Sequence, residues 1–123
     1  MKLFVYGTLK KGFRLHYFLN RSKFVENKEL KGFDMYKIDF NGLTFPYVIP
    51  GKGTIKGEVY EVSKKVFEKI KRMESEGGLK PVKIDDIYLF VADEKYVRRL
   101  KELTVEKIKD GIWKDLIEKW NKL

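Results

Sequence analysis

The sequence predicts an α+β fold, and three observations carry that prediction. Thr54 to Val62 alternates apolar and charged residues and is rich in β-branched and aromatic side chains, which is strand spacing. Asn41-Gly42 separates two apolar runs, and this dipeptide suits the two positive φ angles of a type I′ hairpin turn. Val66, Phe67, Ile70 and Met73 fall instead at helical spacing. Strands joined by hairpins, with helices set apart from them, indicate α+β rather than alternating βαβ units.

In chain order, Lys2 to Tyr6 is a short strand that stops at Gly7, and Gly12 closes the loop that follows. Leu15, Phe18 and Leu19 suggest a short helix. Lys23 to Leu30 reads as extended. Phe33 to Phe40 and Leu43 to Ile49 form the two arms around Asn41-Gly42. Pro46 has no N–H to give a ladder, so the second arm is expected to be an edge, or bent, at that point. Ser63 is a helix N-cap and Gly77-Gly78 a helix stop. Ile84 to Ala92 reads as one strand and Glu94 to Lys109 as one amphipathic helix. Ile112, Trp113, Leu116, Ile117, Trp120 and Leu123 stripe a final helix after Gly111.

Composition narrows the chemistry. At 123 residues, 1–123 reads as a single domain. Its 43% hydrophobic content is enough to build a core, which argues against disorder. Cysteine is absent and His16 is the only histidine. Thiol nucleophiles, Ser-His pairs, disulfides and Cys- or His-rich metal sites are therefore excluded. Acid–base work falls to carboxylates, Tyr, Lys or the backbone. No secretory signature and no stretch of about 20 apolar residues is visible, so a soluble cytoplasmic protein is the expectation. The net charge of +9 admits a polyanion partner such as RNA. It also fits the Lys- and Glu-rich surfaces of proteins from hot habitats, and the even spread of basic residues favours this second reading.

Two features could carry function. At Tyr6-Gly7-Thr8-Leu9 a strand ends in a turn whose successive N–H groups can form a concave anion site. Gly7 allows close approach of a ligand, Thr8 adds a hydroxyl, and Lys10, Lys11 and Arg14 add positive charge. Glu74 lies beside the apolar stripe in the last turn of its helix, where the dipole raises a carboxyl pKa. Each feature alone is equally readable as an ordinary turn and a solvated charge.

Taken together and in order, the segments resemble the γ-glutamylcyclotransferase-like family, which includes γ-glutamylamine cyclotransferases and plant avirulence-induced-gene-2-like proteins. Phe4-Val5-Tyr6-Gly7-Thr8-Leu9-Lys10-Lys11-Gly12 is similar to its opening motif. Phe45-Pro46-Tyr47-Val48-Ile49, Gly57-Glu58-Val59-Tyr60-Glu61-Val62 and Gly111-Ile112-Trp113 resemble later elements, and His16 sits where many members carry a histidine. The family's catalytic glutamate follows apolar residues seven, four and one positions earlier, which here are Phe67, Ile70 and Met73, so the resemblance places it at Glu74. An alignment on Glu76, which directly precedes Gly77, breaks that spacing. The segment Leu79 to Asp85 lacks the Tyr-x-Arg pair common in the family, and Lys71 replaces an expected Asp.

The resemblance implies a small, mostly antiparallel β-barrel flanked by helices, with a pocket at its mouth. It implies cyclisation of a γ-glutamyl amide to 5-oxoproline with release of the amine. Glu74 would move the protons, and Tyr6, Gly7, Thr8 and Leu9 would hold the substrate, with no metal or organic cofactor. The expected partner is a small γ-glutamyl compound rather than a membrane or nucleic acid, and His16 is expected to be structural. The missing Tyr-x-Arg pair leaves open a non-catalytic module that binds a small anion on the same fold. An RNA-binding basic β-barrel is a further alternative, although no ribonucleoprotein-type motif is present. The leaving amine and the oligomeric state are left open.

Overall fold

The computed structural model describes residues 1–115. Six strands and two α-helices follow in the order β1 (Lys2–Val5), β2 (Lys23–Phe40), β3 (Leu43–Glu61), α1 (Lys64–Glu76), β4 (Leu79–Ile84), β5 (Ile87–Ala92), α2 (Val97–Glu102) and β6 (Thr104–Ile108). A single 3-10 turn, His16–Leu19, stands where a short helix was predicted. The strands form one mixed sheet of order β4-β5-β1-β3-β2-β6. The β1–β5 pairing is parallel and the others are antiparallel.

The Asn-Gly hairpin forms as its chemistry requires. Asn41 and Gly42 have φ of 54° and 83°, and Phe40 faces Leu43 across the turn. The separate arms expected before and after it merge into two long strands, with register shifts at Phe24/Glu26 and Lys31/Phe33. Pro46 pairs with Lys37 of β2 on one side. β1 reaches only Glu58 to Glu61 of β3, so the missing N–H of Pro46 removes no ladder bond.

Period-two alternation divides the core between the two faces of the sheet. Leu3, Val5, Tyr60, Phe90 and Ala92 point toward the helices and join Phe67, Ile70 and Leu100. Phe4, Val59, Leu89 and Val91 point the other way, where they meet Met35, Val48, Ile55 and Trp113. That second cluster is built almost wholly from strand residues, so the sheet curls around it. The curl does not close: β4 and β6 are the edges of the sheet among the described residues, and the expected barrel is an open, curled sheet.

Two other expectations are corrected. The predicted helix from Glu94 to Lys109 is a six-residue helix, α2, followed by a strand, β6. The break lies at Thr104, whose hydroxyl donates to the Leu100 carbonyl at 2.9 Å and bonds the Tyr47 hydroxyl at 2.7 Å. The backbone beyond it then pairs with Met35 to Ile38 of β2. The predicted strand from Ile84 to Ala92 is the second arm of a hairpin. Its first arm is β4, and it turns at Asp85, whose φ is 55°. Asp tolerates the left-handed region better than most residues, which makes it a workable turn residue there. Residues 112–115 show no regular structure, and the rest of the predicted final helix lies outside the described residues.

Candidate active site

Helix α1 begins where Ser63 accepts a hydrogen bond from the Val66 N–H at 3.1 Å. It buries Phe67 and Ile70 against the sheet. Glu74 follows Phe67 by seven residues and Ile70 by four, so it shares their face. The helix stops directly after this turn. The Gly77 N–H bonds the Glu74 carbonyl, and Gly78 takes a φ of 85°, closely packed against Tyr96.

This end of the helix meets a cavity of about 620 Å³. Gly7, Thr8 and Leu9 line one wall and Glu74, Ser75 and Glu76 another. Ile38, Phe40, Phe45 and Leu103 give the cavity an apolar lining, and Tyr96, the N-cap of α2, and Arg99 on α2 also line it. The loop and the carboxylate singled out in the sequence thus face one space.

Burial pushes the Glu74 carboxyl up to about 7. Desolvation is the cause, rather than the helix dipole expected from the sequence. Glu74 is half-buried, and no described residue hydrogen-bonds its carboxyl. Its ionised form is therefore costly and open to an incoming donor. Tyr6 lies close enough to feel that charge. Its phenol is fully engaged, donating to the Phe90 carbonyl at 2.7 Å and bonding the Val48 backbone. Burial holds its pKa well above the ordinary value, with the Glu74 charge adding to the effect. Tyr6 is thus a wall residue that ties the end of β1 to β5.

The loop is held from several directions, and its fixings are the other motif segments. Gly7 sits against Pro46, where a Cβ would overlap the ring. Gly57 lies under Val5, where a Cβ would strike the Val5 carbonyl. Glu58 accepts from the Lys11 N–H at 2.9 Å and from the Tyr60 hydroxyl at 3.0 Å. His16 Nδ1 bonds the Leu9 carbonyl at 2.9 Å, and since a carbonyl only accepts, that nitrogen carries a proton. Lys10 is only 8% exposed. It turns away from the cavity to donate to the Trp113 carbonyl at 3.0 Å, with Phe13 under its ammonium. Its expected contribution of charge to an anion site is replaced by a clamp on the chain near Trp113. Gly111 completes the fixing, because its carbonyl accepts from the Lys56 N–H at 2.9 Å and its Cα lies too near Thr54 to carry a side chain.

Among the described residues, the N–H groups of Gly7, Thr8 and Leu9 donate to no protein acceptor, whereas the carbonyls of all three accept. A turn with three neighbouring donors left over on a cavity wall is suited to a carboxylate or an oxyanion. No group of three or more His, Cys, Asp or Glu among the described residues could hold a metal. Ser75, Tyr96 and Arg99 were not foreseen as cavity residues. Tyr96 and Arg99 reach the cavity through the packing of α2, which leaves no trace in local sequence.

A family model described as γ-glutamyl cyclotransferase, AIG2-like, matches residues 3–116. The chain belongs to this family. It is 40% identical over 84 residues to a Pyrococcus horikoshii protein named as a candidate γ-glutamylcyclotransferase, covering 68% of either chain. A Methanocaldococcus jannaschii protein similarly named is 39% identical over 75 residues, 58% of this chain and 59% of that one. A crystal structure of an uncharacterised P. horikoshii protein superposes with a TM-score of 0.74 at 32% identity, covering 91% of this chain and 88% of that one. No helix among the described residues is long and apolar enough to cross a membrane.

Proposed function

We propose that this chain cyclises a γ-glutamyl amide to 5-oxoproline and releases the amine. The observation that carries the reading is the shared cavity: a carboxyl poised near neutrality lines the same space as three successive residues whose N–H groups have no acceptor among the described residues. The substrate brings an α-ammonium, an α-carboxylate and a γ-carbonyl. The Gly7 to Leu9 donors suit the carboxylate or the developing oxyanion. Glu74 suits the ammonium.

In the proposed reaction the Glu74 carboxylate accepts a proton from the α-ammonium, and the free amine attacks the γ-carbon. A five-membered ring forms with a tetrahedral centre, and the pocket contributes by holding the chain curled for attack. Collapse of that centre breaks the bond to the departing nitrogen. Glu74 returns its proton to that nitrogen. The second proton lost by the ring nitrogen ends there too, so ammonium plus amide becomes lactam plus ammonium with no net exchange. A group with a pKa about 7 can serve in both directions near neutral pH.

The test is release of 5-oxoproline from γ-glutamyl dipeptides. Glu74→Gln is expected to fold and to lose turnover at least a hundredfold. The wild-type rate should climb as pH rises through about 7, because the base must be ionised to begin. Wild-type turnover by the Gln variant would remove Glu74 from the reaction, and binding without turnover by the parent would leave a small-anion-binding module instead.

A further inference from the structure

The cavity has more room and more kinds of wall than a glutamyl group uses. Once Glu74 and the Gly7 to Leu9 donors are assigned to the glutamyl end, two surfaces are left for the departing amine. One is apolar and comes from the β2–β3 ribbon and the end of α2: Ile38, Phe40, Phe45 and Leu103. The other is Arg99 on α2, the only cationic side chain lining the cavity among the described residues.

Arg99 is 64% exposed at the rim, and its carboxylate contact, Glu102, is 3.8 Å away and similarly exposed. A surface pair of that kind contributes little, so it competes weakly with a ligand carboxylate. Guanidinium is suited to carboxylates because its donors form a planar fork.

We infer that the amine released is that of an apolar or aromatic amino acid, whose side chain lies on the Ile38–Phe40–Phe45–Leu103 wall and whose carboxylate is paired by Arg99. The inference rests on the cyclisation reading and narrows its substrate class. Polyamine amides fit poorly, since their second cation would approach Arg99 across an apolar wall. Glu76 also lines the cavity and could attract such a cation, so these compounds belong in the test.

Four compounds separate the contributions: γ-glutamylphenylalanine, γ-glutamylphenethylamide, γ-glutamylglycine and γ-glutamylputrescine. The phenylalanine compound is expected to exceed the glycine and putrescine compounds at least tenfold in kcat/KM. Arg99→Gln should lower kcat/KM for the phenylalanine compound about tenfold relative to the phenethylamide, mainly through KM. An equal loss on both would put Arg99 on the glutamyl carboxylate, and no loss would remove it from recognition; either overturns the inference while cyclisation stands. Preference for the putrescine compound would overturn it as well. If the wild type turns over none of the four, the cyclisation reading fails. Calorimetric affinities of the same compounds for Glu74→Gln, with and without Arg99→Gln, then decide the inference. The same order of preference supports it, and equal affinities or no binding refute it.

Discussion

Glu74→Gln should make the protein more stable at alkaline pH, and the size of the effect follows from the cavity wall. The carboxyl titrates at about 7 in the folded chain against an ordinary 4.5. The folded state therefore holds the proton more tightly than the unfolded state. Stability linked to this group is fully present below about pH 4.5 and is lost as pH rises toward and through about 7. Above that range the folded chain bears the whole cost of an ionised, desolvated carboxylate. The gap between the two values corresponds to at most about 3 kcal/mol. Glu74 keeps some access to the cavity, so about 1–3 kcal/mol is the expected range. Gln has nearly the same shape and no charge, so the variant does not bear that cost. A chain of this length has an unfolding entropy that converts each kcal/mol to about 4 °C. At pH 8 the variant should melt about 4–12 °C above the wild type, with the difference vanishing near pH 4. Thermal unfolding across that range measures the difference directly, and other titrating groups cancel in it. A gap independent of pH, or a wild type at least as stable at pH 8, would refute the assignment of a strained carboxylate at this position.

Other variants test how the loop is held. Gly7→Ala forces a Cβ onto the Pro46 ring, and overpacking of this kind costs about 1–3 kcal/mol. Urea unfolding should show that loss, together with weaker binding of γ-glutamyl compounds. Lys10→Met keeps the aliphatic length but removes the charged bond to the Trp113 carbonyl, a loss of about 1–3 kcal/mol. Limited proteolysis should then cut the chain beyond Ile108 faster than in the wild type, and an unchanged cleavage rate would count against the clamp.

Local chemistry explains which parts of the fold could be read from the sequence. Asn41-Gly42 determines its own turn, and Ser63 with Gly77-Gly78 bounds a helix, so these elements were legible from a few adjacent residues. β6 was not, because Thr104 to Ile108 is extended through pairing with β2, a segment more than sixty residues earlier. The clue was the five-residue step from Leu103 to Ile108, which departs from helical spacing. β4 was hidden by Pro81, which looks unlike a strand residue yet is tolerated on the edge strand it occupies. At the candidate site, the spacing Phe67–Ile70–Glu74 was enough to put the glutamate on the packed face. Its lack of a hydrogen-bonding partner among the described residues, and the presence of Arg99 on the same cavity, depend on how distant elements meet.

The fastening of the Gly7 to Leu9 loop also bears on when the site comes into being during folding. Its supports come from Pro46, Gly57, Glu58 and Trp113, so they span most of the distance from the first strand to the end of the described chain. Such contacts bear a large loop-closure cost before any of them is rewarded. The donors should therefore become ordered late, after the β2–β3 ribbon is in place. A nascent or partly unfolded chain would present the ribbon without a competent loop, and ligand binding there would report on completed folding rather than on any one segment.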